Sequence, residues 1–183
     1  MFAYIAAFGL FTDVSYETDQ DLKNILGHVA YLLEGMKRLL DIKSFHMKVT
    51  AGELCVEDDF IFGMVTNSRS VGGFKNLTGR NVDMNDGLFE VTLITRPKNP
   101  LELQEIVGAM LKAEDNTELI HSFKSAHLVL ESEEKVPWTL DGEFGGNHNR
   151  VEITNHHQAL NLYLKSTKKN MDSQGELTDN IKS

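Results

Sequence analysis

The chain has 183 residues, 41% hydrophobic and 25% charged, an ordinary globular composition with room for one sizeable core. Its formal net charge of −9 has the wrong sign for a general binder of nucleic acid or anionic headgroups. A lone cysteine, Cys55, excludes an intrachain disulfide and reads as a small core residue in a reducing compartment. No apolar run approaches the roughly 20 residues needed to span a bilayer.

The opening run Phe2–Gly9 is apolar without a basic lead-in, so it reads as a buried strand and not as a signal peptide. A chain that starts mid-strand is expected to begin inside a longer gene product, with Met1 reset for expression. Thr18 then caps a helix whose Leu22, Ile25, Leu26, Val29, Leu32, Leu33, Met36, Leu39 and Leu40 form one apolar stripe. Core packing is the plain reading of that stripe. Short strands are predicted over 47–50, 60–65 and 88–94, separated by turn-rich stretches.

Asn99-Pro100 opens a second predicted helix carrying Leu103, Ile106, Val107, Met110 and Leu111. A short helical piece is expected through Leu119, Ile120 and Phe123. Strands are expected again at 126–131, 137–143, 150–154 and 158–164. The tail over 166–183 is polar and lacks aromatic residues, so it is expected to be flexible and separate from a domain over 1–165. The predicted class is mainly β (α+β): a β-sandwich with inserted helices.

Three stretches concentrate chemistry-bearing residues. In Asp83-Met84-Asn85-Asp86-Gly87-Leu88, two carboxylates three residues apart on a tight turn can meet one hard cation, with a backbone carbonyl after the glycine as a further ligand. The plainer reading is an acidic turn before a strand. In Thr139–Gly146, Asp141 and Glu143 stand at i and i+2, which on a strand would aim both carboxylates to one face and suit a general base. A hairpin turn with solvated acids is the alternative. The loop Asn67–Phe74 offers small polar residues and Arg69 to an anion but lacks P-loop spacing. His156 and His157 match no zinc spacing, and His148 lies close enough in sequence to flank the Asp141–Glu143 pair.

Taken in order, Phe2–Gly9, Phe11-Thr12, Thr18…Lys23-Asn24…Leu26-Gly27-His28, Asp59-Phe60…Asn67…Gly72-Gly73, Asp83…Asp86-Gly87-Leu88 and Thr139…Asp141-Gly142-Glu143 resemble the second, C-terminal domain of the bacterial soluble diacylglycerol kinase family, relatives of sphingosine and ceramide kinases. The resemblance runs from residue 2 to about 165. It implies a β-sandwich that closes a cleft over ATP held by a first domain through a Gly-Gly-Asp-Gly-Thr loop. No such loop occurs in this sequence, so the isolated chain is expected to be inactive.

By the same resemblance, Asp83, Asp86 and the Leu88 carbonyl match a structural Mg²⁺ site. Asp141 matches the base for the lipid hydroxyl, with Glu143 its acidic companion, and Lys23 approaches phosphate. The implied reaction is ATP-dependent phosphorylation of a lipid hydroxyl, with diacylglycerol the family default. Implied partners are a lipid at the membrane surface and ATP, with no nucleic acid. Homodimerisation is left open. The implied location is cytoplasmic, peripheral to the membrane. A non-catalytic, β-rich lipid-binding module stands as the alternative.

Overall fold

A computed structural model describes residues 1–10, 42–71, 82–112 and 117–159. Seven strands and one helix occur among them. The strands are β1 (Ile5–Gly9), β2 (Phe45–Ala51), β3 (Leu54–Thr66), β4 (Phe89–Thr95), β5 (Ile120–Ser125), β6 (His127–Leu140) and β7 (Glu143–Thr154). The helix, α1, is Pro100–Lys112. The expected mainly-β class holds, with the strands joined in one barrel-like sheet. The helix expected over 18–40, the 158–164 strand from residue 160 and the polar tail lie outside the described residues.

Every pairing is antiparallel, and two long strands organise the sheet. One edge of β3 is shared by β2, along residues 54–60, and by β1, along residues 62–66. The facing edge of β6 is shared in the same way, by β2 at 129–132 and by β1 at 138–140. Strands β1 and β2 therefore lie end to end and run in the same direction, as two halves of one interrupted strand. The Leu10 amide continues the ladder by donating to Ile61 O at 2.9 Å. Outside this frame, β4 and β5 extend the sheet beyond β3, and β7 extends it beyond β6.

Side-chain alternation divides the apolar residues between the two faces. One face carries Ala6, Phe8, Phe45, Met47, Val49, Phe60, Val65, Val91, Leu93, Leu128, Leu130 and Trp138. The other carries Ile5, Ala7, Phe62, Met64 and Ile94 and is covered by Ile106 and Ala109 of α1. A bulge between Phe60 and Phe62 resets β3, so that Ile61 and Phe62 both face the helix. Gly9, at φ +85°, meets that bulge closely: a Cβ there would stand 2.2 Å from Ile61 O.

Helix α1 begins as its sequence predicts. The Asn99 side chain accepts from the amides of Leu101 and Glu102 at 3.0 Å each, and Glu102 returns a bond to the Lys98 amide at 2.6 Å. Two expectations are corrected. Residues 120–125 form strand β5, paired from Ile94↔Ile120 to Phe89↔Ser125, where a helical piece was expected. Cys55 is exposed on β3 and is not a core residue.

Candidate functional site

The Asp141-Gly142 dipeptide joins β6 to β7 as a two-residue turn, with Leu140 paired to Glu143. Both turn residues have positive φ, 51° and 89°, as a type I′ hairpin requires. Asp tolerates this conformation and Gly favours it. The Asp141 carboxylate folds back onto the start of β1. Its Oδ1 accepts from the amides of Tyr4 and Ile5, and its Oδ2 from that of Ala3, all at 2.8 Å. Partial burial pushes this carboxyl up, but the three amide donors outweigh it and hold it below the ordinary aspartate value.

Of the two readings of this stretch, the hairpin turn holds and the strand with both carboxylates on one face does not: Asp141 is a turn residue with its carboxylate turned toward β1. Glu143 opens β7 with its side chain exposed. His148 is exposed, a surface histidine, with its Nε2 3.0 Å from Gly145 O within its own strand.

Tyr4 links this hairpin to the other two stretches. Its carbonyl accepts from the Asn67 amide at 3.2 Å and from the Thr66 hydroxyl at 2.8 Å, and its own hydroxyl donates to Ser70 O at 2.9 Å. Asn67 Nδ2 in turn donates to Met84 O at 3.2 Å. The β6–β7 turn, the start of β1, the loop after β3 and the turn before β4 therefore meet at one rim of the sheet. Gly72, Gly73 and Phe74 of that loop, and Lys23, lie outside the described residues.

The 83–88 turn is built from its own acids. Asp83 Oδ1 accepts from the Asn85 amide at 3.0 Å, and Asp86 Oδ1 accepts from the Leu88 amide at 2.9 Å. Gly87 supplies φ +75°. His157 packs on Gly87, with its Nε2 2.9 Å from Asn85 O. Lys124 of β5 reaches Asp86 Oδ2 at 3.1 Å and Glu90 Oε1 at 3.3 Å. The bond from the Leu88 amide, reinforced by Lys124, lowers the Asp86 pKa; burial raises that of Glu90.

Two carboxylates of one turn, one of them paired with an ammonium, are oxygen donors of the kind a hard divalent cation takes. No cluster of three or more His, Cys, Asp or Glu side chains positioned for a metal occurs among the described residues, so backbone or water oxygens would have to complete the ligand set. Sequence reasoning missed Tyr4, Glu90 and Lys124, and read Asn67 only as part of a polar loop. Their roles depend on strand pairing, and no local motif marks them.

These features define a β-rich domain whose acidic turns meet at one rim, and comparison with known proteins gives its relatives. The chain is 30% identical over 146 residues to a diacylglycerol kinase of Bacillus subtilis (strain 168), covering 79% of this chain and 48% of that protein. It is 32% identical over 144 residues to a YegS-like lipid kinase of Stenotrophomonas maltophilia (strain K279a), covering 77% and 46%. A crystal structure of a diacylglycerol kinase from Bacillus anthracis (strain Sterne) shares the fold, with TM-score 0.56 and 22% identity over 84% of this chain and 50% of that one. No family model matches. The chain belongs to the bacterial diacylglycerol kinase and YegS-like lipid kinase family, and it spans about half the length of these relatives.

Proposed function

We propose that this chain is the C-terminal, substrate-side half of an ATP-dependent lipid kinase, most simply one that converts diacylglycerol to phosphatidic acid at the cytoplasmic face of a membrane. The observation that carries the reading is the hydrogen-bonded path from Asp141 through Tyr4 and Asn67 to the Asp83–Leu88 turn. It joins both acidic motifs on one rim, where a nucleotide-holding half can close against them.

In the proposed reaction the lipid hydroxyl oxygen forms a bond to the γ-phosphorus of ATP. The bond from that phosphorus to the bridging oxygen breaks, ADP departs, and the hydroxyl proton passes to a carboxylate. Asp141 is assigned this last role, with Glu143 as its acidic companion. A lowered pKa makes Asp141 a weak base, which suits a loose phosphoryl-transfer transition state, where orienting the hydroxyl counts for more than base strength. Its three amide partners fix the carboxylate in place.

Mg²⁺ at Asp83, Asp86 and the Leu88 carbonyl would supply local positive charge and hold the turn; Lys23 is assigned to the phosphates. No helix among the described residues is long and apolar enough to cross a membrane. A net charge of −9 confines any attraction to anionic lipid to a local patch or to the other half.

The test is ATP-dependent phosphorylation of diacylglycerol in mixed micelles by the full-length gene product. Asp141→Asn should lower kcat by about 100-fold or more, within the range for a positioned acid–base group, and Glu143→Gln should lower it by less. Full activity in Asp141→Asn would remove the catalytic assignment. Lipid binding without turnover in the wild type would favour a non-catalytic lipid-binding module.

A further inference from the structure

Residues Glu90 and Lys124 face each other directly across the β4–β5 ladder. Glu90 is 4% exposed, and among the described residues its carboxylate is met by the Lys124 ammonium, 3.3 Å from Oε1, with no further side-chain or backbone donor on either oxygen. A buried carboxylate without hydrogen bonds is costly unless a cation neutralises it. Lys124 provides that charge but divides it, since the same ammonium lies 3.1 Å from Asp86 Oδ2. Lys124 thus serves both Asp86 and Glu90 with one positive charge.

We propose that Lys124 is a resident cation that competes with Mg²⁺ for Asp86. Without metal the ammonium bridges Asp86 and Glu90 and keeps the 83–88 turn in place. When Mg²⁺ arrives, Lys124 gives up Asp86 and pairs with Glu90 alone, and Glu90 is the store that makes this exchange possible. This inference rests on the Mg²⁺ reading of the turn. It adds that Lys124 and Glu90, which are not ligands, set the affinity in opposite directions.

The experiment is Mg²⁺ titration of the full 183-residue chain by isothermal calorimetry, with thermal melts in EDTA and in saturating Mg²⁺. Lys124→Gln should bind Mg²⁺ about tenfold more tightly, because a like charge within a few ångströms of the metal has gone. It should also melt lower than wild type in EDTA, with the gap narrowing in Mg²⁺. Glu90→Gln should bind Mg²⁺ several-fold more weakly, about the effect of losing one nearby carboxylate and the ammonium's alternative partner. A purely structural ion pair would move both variants the same way.

Should Lys124→Gln fail to fold, Lys124→Arg carries the test. A guanidinium grips carboxylates in two-point fashion, so Mg²⁺ affinity should drop below wild type. Wild-type binding that Asp83→Asn abolishes, and that neither Lys124 variant alters, overturns the inference alone. No binding by wild type or by any Lys124 variant overturns the Mg²⁺ reading and the inference with it.

Discussion

Asp141 combines three demands in one residue: a left-handed backbone, a hairpin turn, and a carboxylate receiving three amides from a strand 136 to 138 residues earlier in the chain. Its folded pKa is depressed, so its stabilising contribution is fully present above the unfolded value of about 3.9 and is lost as pH falls through the folded value. Asp141→Asn keeps the turn conformation and removes the charge. Because the residue is exposed, solvent screening reduces the effect, and the expected loss at pH 7 is about 1–2 kcal/mol. Urea melts of wild type and variant should differ at pH 7 and converge only as pH falls below the depressed folded value. Gly63 sets a second, steric limit. A Cβ there would lie 2.2 Å and 2.5 Å from Cε1 and Cζ of Phe8, which is itself fully buried. Gly63→Ala should therefore cost about 1–3 kcal/mol through overpacking, read as a lower urea midpoint at unchanged slope.

Strand β5 shows how an element can mislead at the level of its own residues. The Thr117 hydroxyl accepts from the amides of Leu119 and Ile120 at 3.1 Å each, the local signature of a helix start. Leu119, Ile120 and Phe123 then supply helix-like spacing. Pairing with β4 overrides both signals, because Ile120 gains a buried place under α1 that no isolated turn of helix offers. Helix α1 was legible because its start lies wholly within Asn99–Glu102, and β2 was legible because its alternation is local. The rim was legible only as separate acidic turns. What joins them, Tyr4 to Asp141 and Lys124 to Asp86, spans long sequence separations and follows from strand register. The helix cap yields its own prediction: Asn99→Ala should lower stability by about 1 kcal/mol, and hydrogen exchange should quicken first at Leu101 and Glu102.

At the scale of the molecule, the interrupted strand is what ties the two long strands together. Both β3 and β6 depend on β1 for one half of their shared frame and on β2 for the other. Phe8 stands where these parts meet. Its ring lies 5.1 Å from that of Trp138 on β6 and 6.1 Å from that of Phe45 on β2, and it fills the space left open by Gly63 on β3. Phe8→Ala should therefore cost about 3–5 kcal/mol, as for other large core truncations. Its effect should also be global, with amide protection falling together in residues 45–49, 62–66 and 138–140. Ile106→Ala makes the contrast, because Ile106 packs only on the helix-covered face. Its expected cost is about 2–5 kcal/mol, but exchange should quicken mainly in α1 and β5 while the β1–β6 ladder keeps its protection. If Phe8→Ala released β1 and left β2 and β6 protected, the interrupted strand would be two independent additions to the sheet. The Asp141 hairpin would then be held by its three amide bonds alone, and the two acidic motifs would not share one rigid rim.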